Sequence, residues 1–421
     1  MGAPFVVQAA RAFADAGSLR RFGTSLVDSP DSLIQKTLCR VASLFGYDLA
    51  RQIRRRAIND IPGKLLLPHP WRESIRLIAG RLDRSGVLSD RVWEWAETGF
   101  DRWMSCHALH GATAVYGYEH ACRSSLEAGR DQGLFCIYDV PAPEHEFTHR
   151  ILSRELDRFP ELLSPYQKHV RRPEIHRRRT ERRRREWAAA DMVVAASQVT
   201  RRSFAGYDDP ASPEKGLEKV CVIPYGAPPT DDTGLDGGSK SEGPLRFLWA
   251  GTFSIRKGAH YFMDAWKRLR LAPQLAQVDI YGAANLPPAL LAQVPDAFKF
   301  HGSIPRDELY DVYKRSDAFV FPTLCDGFGM VVTEAFSRGL PVITTPMAGA
   351  ADLVRPRQNG LIVLAADADA LAGALQWCLD NRPALRDMRA EALTTAARWQ
   401  WSDYRAGLLA AVQKRFAERR S

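Results

Sequence analysis

Short β-branched or aromatic runs alternate with helix-length segments along most of this chain, and that rhythm admits few folds. In the second half the runs are LRFLWA (245–250), QVDIYG (277–282), FKFHG (298–302), AFVFPT (318–323), PVITT (341–345) and LIVL (361–364). The first half repeats the pattern less cleanly, with FGTSLV (22–27), TAVYGY (113–118), LFCIYD (134–139), MVVAA (192–196) and KVCVIPYG (219–226). Strands spaced by helices predict right-handed βαβ units and parallel sheets. A chain of 421 residues is too long for one core and suits two. Residues 227–244, APPTDDTGLDGGSKSEGP, lack periodicity and read as the linker between them. Between 28 and 112 lies a long helical insertion whose pattern is apolar but unspecific.

Open parallel sheets bind ligands beyond the carboxyl ends of their strands. One such end is FPTLCDGFGMVVTEAFSRGLPVITT (321–345), a strand, a glycine-studded turn and a helix stopped by Gly339 and Pro341. Gly327 and Gly329 let backbone N–H groups approach an anion, and the helix start adds partial positive charge. Asp326 precedes the helix and Glu334 lies inside it, so their carboxylates suit hydroxyl groups on either side of a diphosphate. A nucleotide sugar has that layout. An Asp helix cap and a solvated helix Glu would give the same letters.

These residues resemble the retaining family 4 (group 1) glycosyltransferases, whose E-x7-E motif is similar to Asp326-Gly327-Phe328-Gly329 followed by Glu334-Ala335. The resemblance implies a GT-B fold: two Rossmann-like doubly wound domains facing a cleft, with a C-terminal helix crossing back to the first. It implies that Asp326 and the amides through Met330 hold the sugar hydroxyls and that Glu334 holds the ribose. The first acid is Asp here, one methylene shorter than in the family. WAGTFSIRKGAHYFMDAW (249–266) resembles the family's G-x-x-x-x-K-G segment, which places Lys257 at the leaving diphosphate with Arg256 assisting. Thr252 stands where relatives often carry Arg. The loop after Gly302, including Ile304, would contact the base through its backbone. YGYEHA (116–121), IYDVPAPEHEF (137–147), REWAAADMVVAAS (185–197) and VIPYG (222–226) look like acceptor-domain strands, and His145 matches the histidine relatives place near the anomeric carbon. Glu119 and Asp139, at strand ends, suit either the cleft or a turn.

The expected domains are 1–226 for the acceptor, 227–244 as linker, 245–395 for the nucleotide sugar and 396–421 as the crossover helix. Trp399 and Trp401 are expected to pack that crossover. The expected activity is sugar transfer from a nucleoside diphosphate donor, UDP or GDP, to a glycan or lipid-linked acceptor, with retention and in polysaccharide or glycolipid assembly. A non-catalytic scaffold and a nucleotide-sugar epimerase are the alternatives. No cofactor or metal is expected. Asp367-Ala368-Asp369 spells a D-x-D signature but stands where a helix cap belongs.

The net charge of +9 concentrates in RRPEIHRRRTERRRREW (171–187). Interspersed acids favour a solvated helix face, with peripheral membrane contact second; without interleaved aromatics or a recognition motif, nucleic acid is not an expected partner. The seven cysteines form no CxxC pair and suit a reducing compartment. No apolar run reaches the roughly 18 residues of a membrane span. The expected location is the cytoplasm, in solution or at the inner face of the plasma membrane. The stretch after Met1 reads as a helix over 5–15, whereas a GT-B first domain opens with a strand. The expectation is a true start about ten or more residues upstream.

Overall fold

The computed structural model describes residues 3–25, 60–83, 85–209, 211–233 and 243–420, with a few isolated positions between 36 and 58. It divides into two compact units, one of 1–139, 168–193 and 405–421, the other of 140–167 and 194–404. Each unit is an α/β structure built on parallel strands.

In the first unit, strand Ala114–Tyr118 runs parallel to Phe135–Val140 with Ala114 opposite Phe135 and Tyr118 opposite Asp139. The Pro4–Asp15 helix lies against it, with the Phe5 ring 5.7 Å from Tyr118 and Phe13 5.8 Å from Tyr116. Phe22–Thr24 pairs in parallel with Leu66–Pro68, a short strand inside the segment expected to be helical. That segment also holds the helices Pro70–Leu82 and Val87–His107. The last helix, Trp401–Arg420, reaches this unit from Arg405 onward: Arg405 donates to Gln8, and Arg419 to the Leu134 carbonyl at 2.6 Å and to Asp191 at 2.9 Å.

The arginine-rich helix, Pro173–Ala189, presents the expected solvated face, with Arg177, Arg178, Glu181 and Arg185 exposed, but its opposite side is also charged. Arg179, Arg182 and Glu186 are buried. Arg179 binds Asp90 and Glu94, Arg182 binds Asp101 and the His120 carbonyl, and Arg183 binds Glu119. Glu186 accepts the N–H groups of His120 and Cys122, and burial pushes its carboxyl up to about 7 against those bonds. Buried charges persist only when paired or hydrogen-bonded, and here the acids of other segments supply the pairs.

The second unit carries a six-stranded parallel sheet in the order Phe298–Gly302, Ala276–Tyr281, Leu245–Ala250, Ala318–Phe321, Val342–Thr344, Gly360–Ile362. Counting strands along the chain from Leu245, this is the doubly wound 3-2-1-4-5-6 order, whose direction of winding reverses between Leu245–Ala250 and Ala318–Phe321. Those two strands pair only at Phe247–Ala318 and Leu248–Phe319, so their carboxyl ends diverge. Ala259–Leu269 and Ala368–Asp380 contribute Phe262, Trp266, Leu371 and Leu375 to the core over the sheet. The start of the expected linker is pinned to this unit. Ala227 N–H bonds the Trp399 carbonyl, Asp231 N–H the Ser337 carbonyl, and Arg338 reaches the Pro229 carbonyl. Residues 234–242 of it lie outside the described residues. Trp399 donates to the Tyr225 carbonyl and Trp401 stacks on the Tyr225 ring, which is the packing role expected of them. Asp367 caps its helix by accepting the Ala370 N–H at 2.8 Å, so the D-x-D is a cap.

Candidate functional site

The turn after Leu245–Ala250 and the turn after Ala318–Phe321 meet at the point where the sheet reverses, and close backbone contact joins them. Gly258 has a φ of +78°, and a Cβ there would lie 2.0 Å from the Pro322 carbonyl oxygen, so only glycine fits. The Arg256 carbonyl accepts from the Leu324 N–H at 2.9 Å and the Thr323 hydroxyl at 3.1 Å. Arg256 itself donates to the Cys325 carbonyl at 2.7 Å and to the Asp326 carboxylate at 2.9 Å.

Lys257 is fixed by this stitching. Its ammonium lies 5.5 Å from the centre of the Phe321 ring and against Gly251, where a Cβ would come within 2.7 Å of Nζ. Burial pulls its pKa down, and the Arg256 charge adds to that, while Asp326 and Glu334 act in the opposite sense. Among the described residues its ammonium forms no hydrogen bond or ion pair. A desolvated cation without a direct ion pair at a strand end suits an anion.

The loop from Asp326 to Met330 is tied from behind. Ser197 and Thr200, at the start of the helix Gln198–Ser203, donate to the Gly327 carbonyl at 2.6 and 3.1 Å. The Asp326 N–H bonds the Met347 carbonyl, and the Phe328 carbonyl takes the Ala350 N–H. No protein acceptor meets the N–H groups of Phe328, Gly329 or Met330 among the described residues. Gly329 has φ +81° and precedes the helix Met330–Phe336. The loop thus presents donors on the side its tethers leave open.

Glu334, in that helix, is buried and accepts from Arg306 at 2.8 Å and Tyr313 at 3.4 Å. Burial raises its pKa, with Arg306, Tyr313 and Lys257 opposing. Arg306 opens the helix Arg306–Arg315 directly after Ile304 and Pro305, which brings the Ile304 loop beside the Glu334 carboxylate. His145 is the first residue of His145–Arg158, whose Glu144 cap accepts from the N–H groups of Glu146 and Phe147. The residues just before it lie on the glycine loop, because a Cβ at Gly327 would sit 1.9 Å from the Pro141 carbonyl oxygen. Asp326, Gly327, Phe328, Gly329, Met330, Glu334, Arg256, Lys257, Ile304 and His145 therefore belong to one unit, on turns and helices joined by these contacts.

The model of the family Glycosyl transferases group 1 matches residues 244–381, the segment holding both turns. Over 167 residues the chain is 32% identical to the glycogen synthase of Mycobacterium tuberculosis, which is 38% of this chain and 40% of that enzyme. The sucrose-phosphate synthase of Thermosynechococcus elongatus superposes with a TM-score of 0.57 at 18% identity, over 85% of this chain and 82% of that one. HepE of Anabaena in complex with UDP-glucose superposes with a TM-score of 0.52 at 18% identity, over 75% and 82%. The chain has a GT-B fold, and its residues 244–381 are similar to group 1 glycosyl transferases. The chain spans less than half the length of the glycogen synthase it matches.

Within the second unit, sequence reasoning missed Arg306, which neutralises Glu334, and the Ser197–Thr200 pair behind Gly327. The second had a readable signal, since Ser197-x-x-Thr200 after a strand is a helix-capping pattern. Outside it, Glu119 is bound by Arg183, and Asp139, next to last in its strand, is fully buried and accepts the Tyr116 hydroxyl at 2.5 Å.

Proposed function

We propose that this protein transfers a sugar from a nucleoside diphosphate sugar, UDP or GDP linked, to a glycan or lipid-linked acceptor, with retention of configuration and without a metal, in polysaccharide or glycolipid assembly. The observation that carries this reading is Lys257, an ammonium with no carboxylate partner among the described residues, held at the reversal point of the sheet. As the bond from the anomeric carbon to the phosphate oxygen breaks, that oxygen takes the electron pair and its charge grows toward Lys257. The glycine-loop N–H groups add fixed dipoles, and such preorganised donors are the largest source of rate enhancement in many enzymes. The acceptor oxygen bonds to the anomeric carbon on the face the phosphate leaves, and its proton passes to the departing phosphate. Glu334 with Arg306 holds the ribose, Asp326 with Arg256 faces the sugar, and His145 lies near the anomeric carbon.

Relatives named for glycogen, sucrose-phosphate and D-inositol 3-phosphate glycosyl chemistry support the reaction class. The test is a thermal-shift screen of the full chain against UDP-, GDP-, ADP- and TDP-sugars, followed by measurement of nucleoside diphosphate release across an acceptor panel. A ligand that binds the folded state raises apparent stability by mass action. A shift with one donor class and acceptor-dependent release is expected. Binding without release would support the scaffold, and product formed from donor alone the epimerase.

A further inference from the structure

The helices Pro70–Leu82 and Val87–His107 form a hairpin in the first unit that is built inside out. Its inward side carries acids. Glu73 is held by Arg76, Asp90 by Arg179 at 2.6 Å and His169 at 3.2 Å, and Asp101 by Arg182 and the N–H groups of Ser124 and Ser125. All three carboxylates are buried. The outward side is apolar. Trp71, Ile75, Ile78 and Leu82 recur at helical spacing and form one stripe along the first helix, while Leu88 and Trp95 lie two turns apart on the second. Ile78 is 57% and Leu82 73% exposed.

The two stripes form one surface. The rings of Trp71 and Trp95 are 5.4 Å apart, and the Arg72 guanidinium lies 4.4 Å from each. At the other end the Asp83 carboxylate accepts the Ser89 N–H at 2.7 Å and closes the turn, which brings Leu82 and Leu88 to the same end. A contiguous exposed patch of this kind marks an interaction site in a folded protein. Its charge identifies the occupant. Glu94 is taken by Arg178 and Arg179, while Arg72 lies between the two indoles and Arg91 is exposed, so the rim of the patch is cationic. Aliphatic side chains between tryptophans with arginines at the rim suit the boundary of an anionic bilayer, where indoles settle at headgroup depth. No helix among the described residues is long and apolar enough to cross a membrane, so the geometry is that of lying on one.

We propose that this hairpin docks the protein on an anionic lipid surface, with Trp71, Ile75, Ile78, Leu82, Leu88 and Trp95 entering the headgroup boundary. The contact differs from the arginine-rich helix expected to make it, since Arg178, Arg179, Arg182 and Arg183 are held by carboxylates within the unit. It also stands apart from the sugar-transfer reading, because none of its residues lies in the 244–381 segment similar to group 1 glycosyl transferases.

The experiment is co-sedimentation of the full chain with vesicles of phosphatidylcholine alone and of phosphatidylcholine with phosphatidylglycerol, for the natural protein and for Ile78→Glu/Leu82→Glu. Both side chains are exposed, so the variant should fold, and its melting temperature checks this; Ile78→Ser serves as a milder second variant. The natural protein should sediment with the anionic vesicles and show blue-shifted tryptophan emission. The double variant should bind at least about tenfold more weakly, because two charges replace side chains at the acyl boundary. Failure of the natural protein to bind anionic vesicles overturns the proposal, as does equal binding by the variant. A dimer in sedimentation velocity that the variant abolishes, with vesicle binding unchanged, would assign the patch to a second copy instead.

Discussion

Lys257 sits where the fold gains little from a cation, since burial outweighs the pull of Asp326 and Glu334 and lowers its pKa, and its ammonium lies by an aromatic ring with no direct ion pair among the described residues. Replacing it with alanine should leave the melting temperature within about a degree or raise it, because the change removes a desolvation cost. It should lower kcat about 10²–10³-fold, the usual loss for one preorganised donor at a developing charge. Steady-state kinetics tests this, and a raised KM at unchanged kcat would make Lys257 a uniform binder. Glu334→Gln should weaken donor affinity by about tenfold, since a charge-assisted hydrogen bond contributes about 1.5–3 kcal/mol and the amide keeps part of it; unchanged affinity by calorimetry would remove Glu334 from the ribose. Asp139 gives a pH signature. Burial, with Glu119, pushes its carboxyl up to about 7 in spite of the Tyr116 bond, and Oδ1 has no hydrogen-bond partner among the described residues. An acid whose folded pKa is raised contributes stability that is complete below its unfolded value and is lost as pH rises through the folded one. Urea unfolding should therefore show the natural protein losing stability relative to Asp139→Asn between about pH 4 and 7, at no more than about 1.4 kcal/mol per pH unit. Parallel pH curves for the two would refute the assignment.

At the scale of elements, legibility depended on where the information lies along the chain. The β-rich runs at 245–250, 318–323 and 341–345 became strands because burial on both faces leaves a local apolar signature. The glycine turns were legible because Gly258 and Gly329 each hold a positive φ at the start of a helix, a local demand that only glycine meets easily. The buried side of the arginine-rich helix was not legible. Its partners Asp90, Glu94, Asp101 and Glu119 lie far away in sequence, and charge spacing within one helix cannot reveal them. Nor was the membership of His145–Arg158, which precedes the linker yet belongs to the second unit. Its Glu155 accepts from the Tyr261 hydroxyl at 2.8 Å and His260 at 3.0 Å, on the helix that begins two residues after Lys257. Burial alone would push the Glu155 carboxyl up, but these two bonds outweigh it and hold it below the usual range. Leu156 and Leu162 join the core over the six-stranded sheet. Glu155→Ala should cost about 1–3 kcal/mol by removing the acceptor of the Tyr261 hydroxyl proton and the partner of His260 Nε2, and Glu155→Gln should recover part of it. Denaturant midpoints measure both; identical midpoints for the natural protein and the alanine variant would show that the helix is held by its leucines alone.

For the whole molecule, the path of the chain makes a prediction that neither unit makes alone. Residues 405–421 belong to the first unit although everything from 194 to 404 belongs to the second. Leu408 and Val412 are buried, the Phe416 ring lies 5.6 Å from Phe135, and Arg419 caps the Leu134 carbonyl and pairs with Asp191. Removing this segment uncovers the strand Phe135–Val140 while leaving the six-stranded sheet with all its strands. Burial of an aliphatic or aromatic side chain contributes about 1.5–3 kcal/mol, so losing several approaches the whole margin of a domain. A chain ending at Tyr404 should therefore lose hydrogen-exchange protection across 135–140 and keep it across 318–321. It should also keep the thermal shift produced by the donor, because Lys257, Glu334 and the glycine loop lie in the second unit. Equal loss of protection in both strands would show that the units fold as one cooperative body, and unchanged protection in both would show that the last helix adds no stability to the unit it joins.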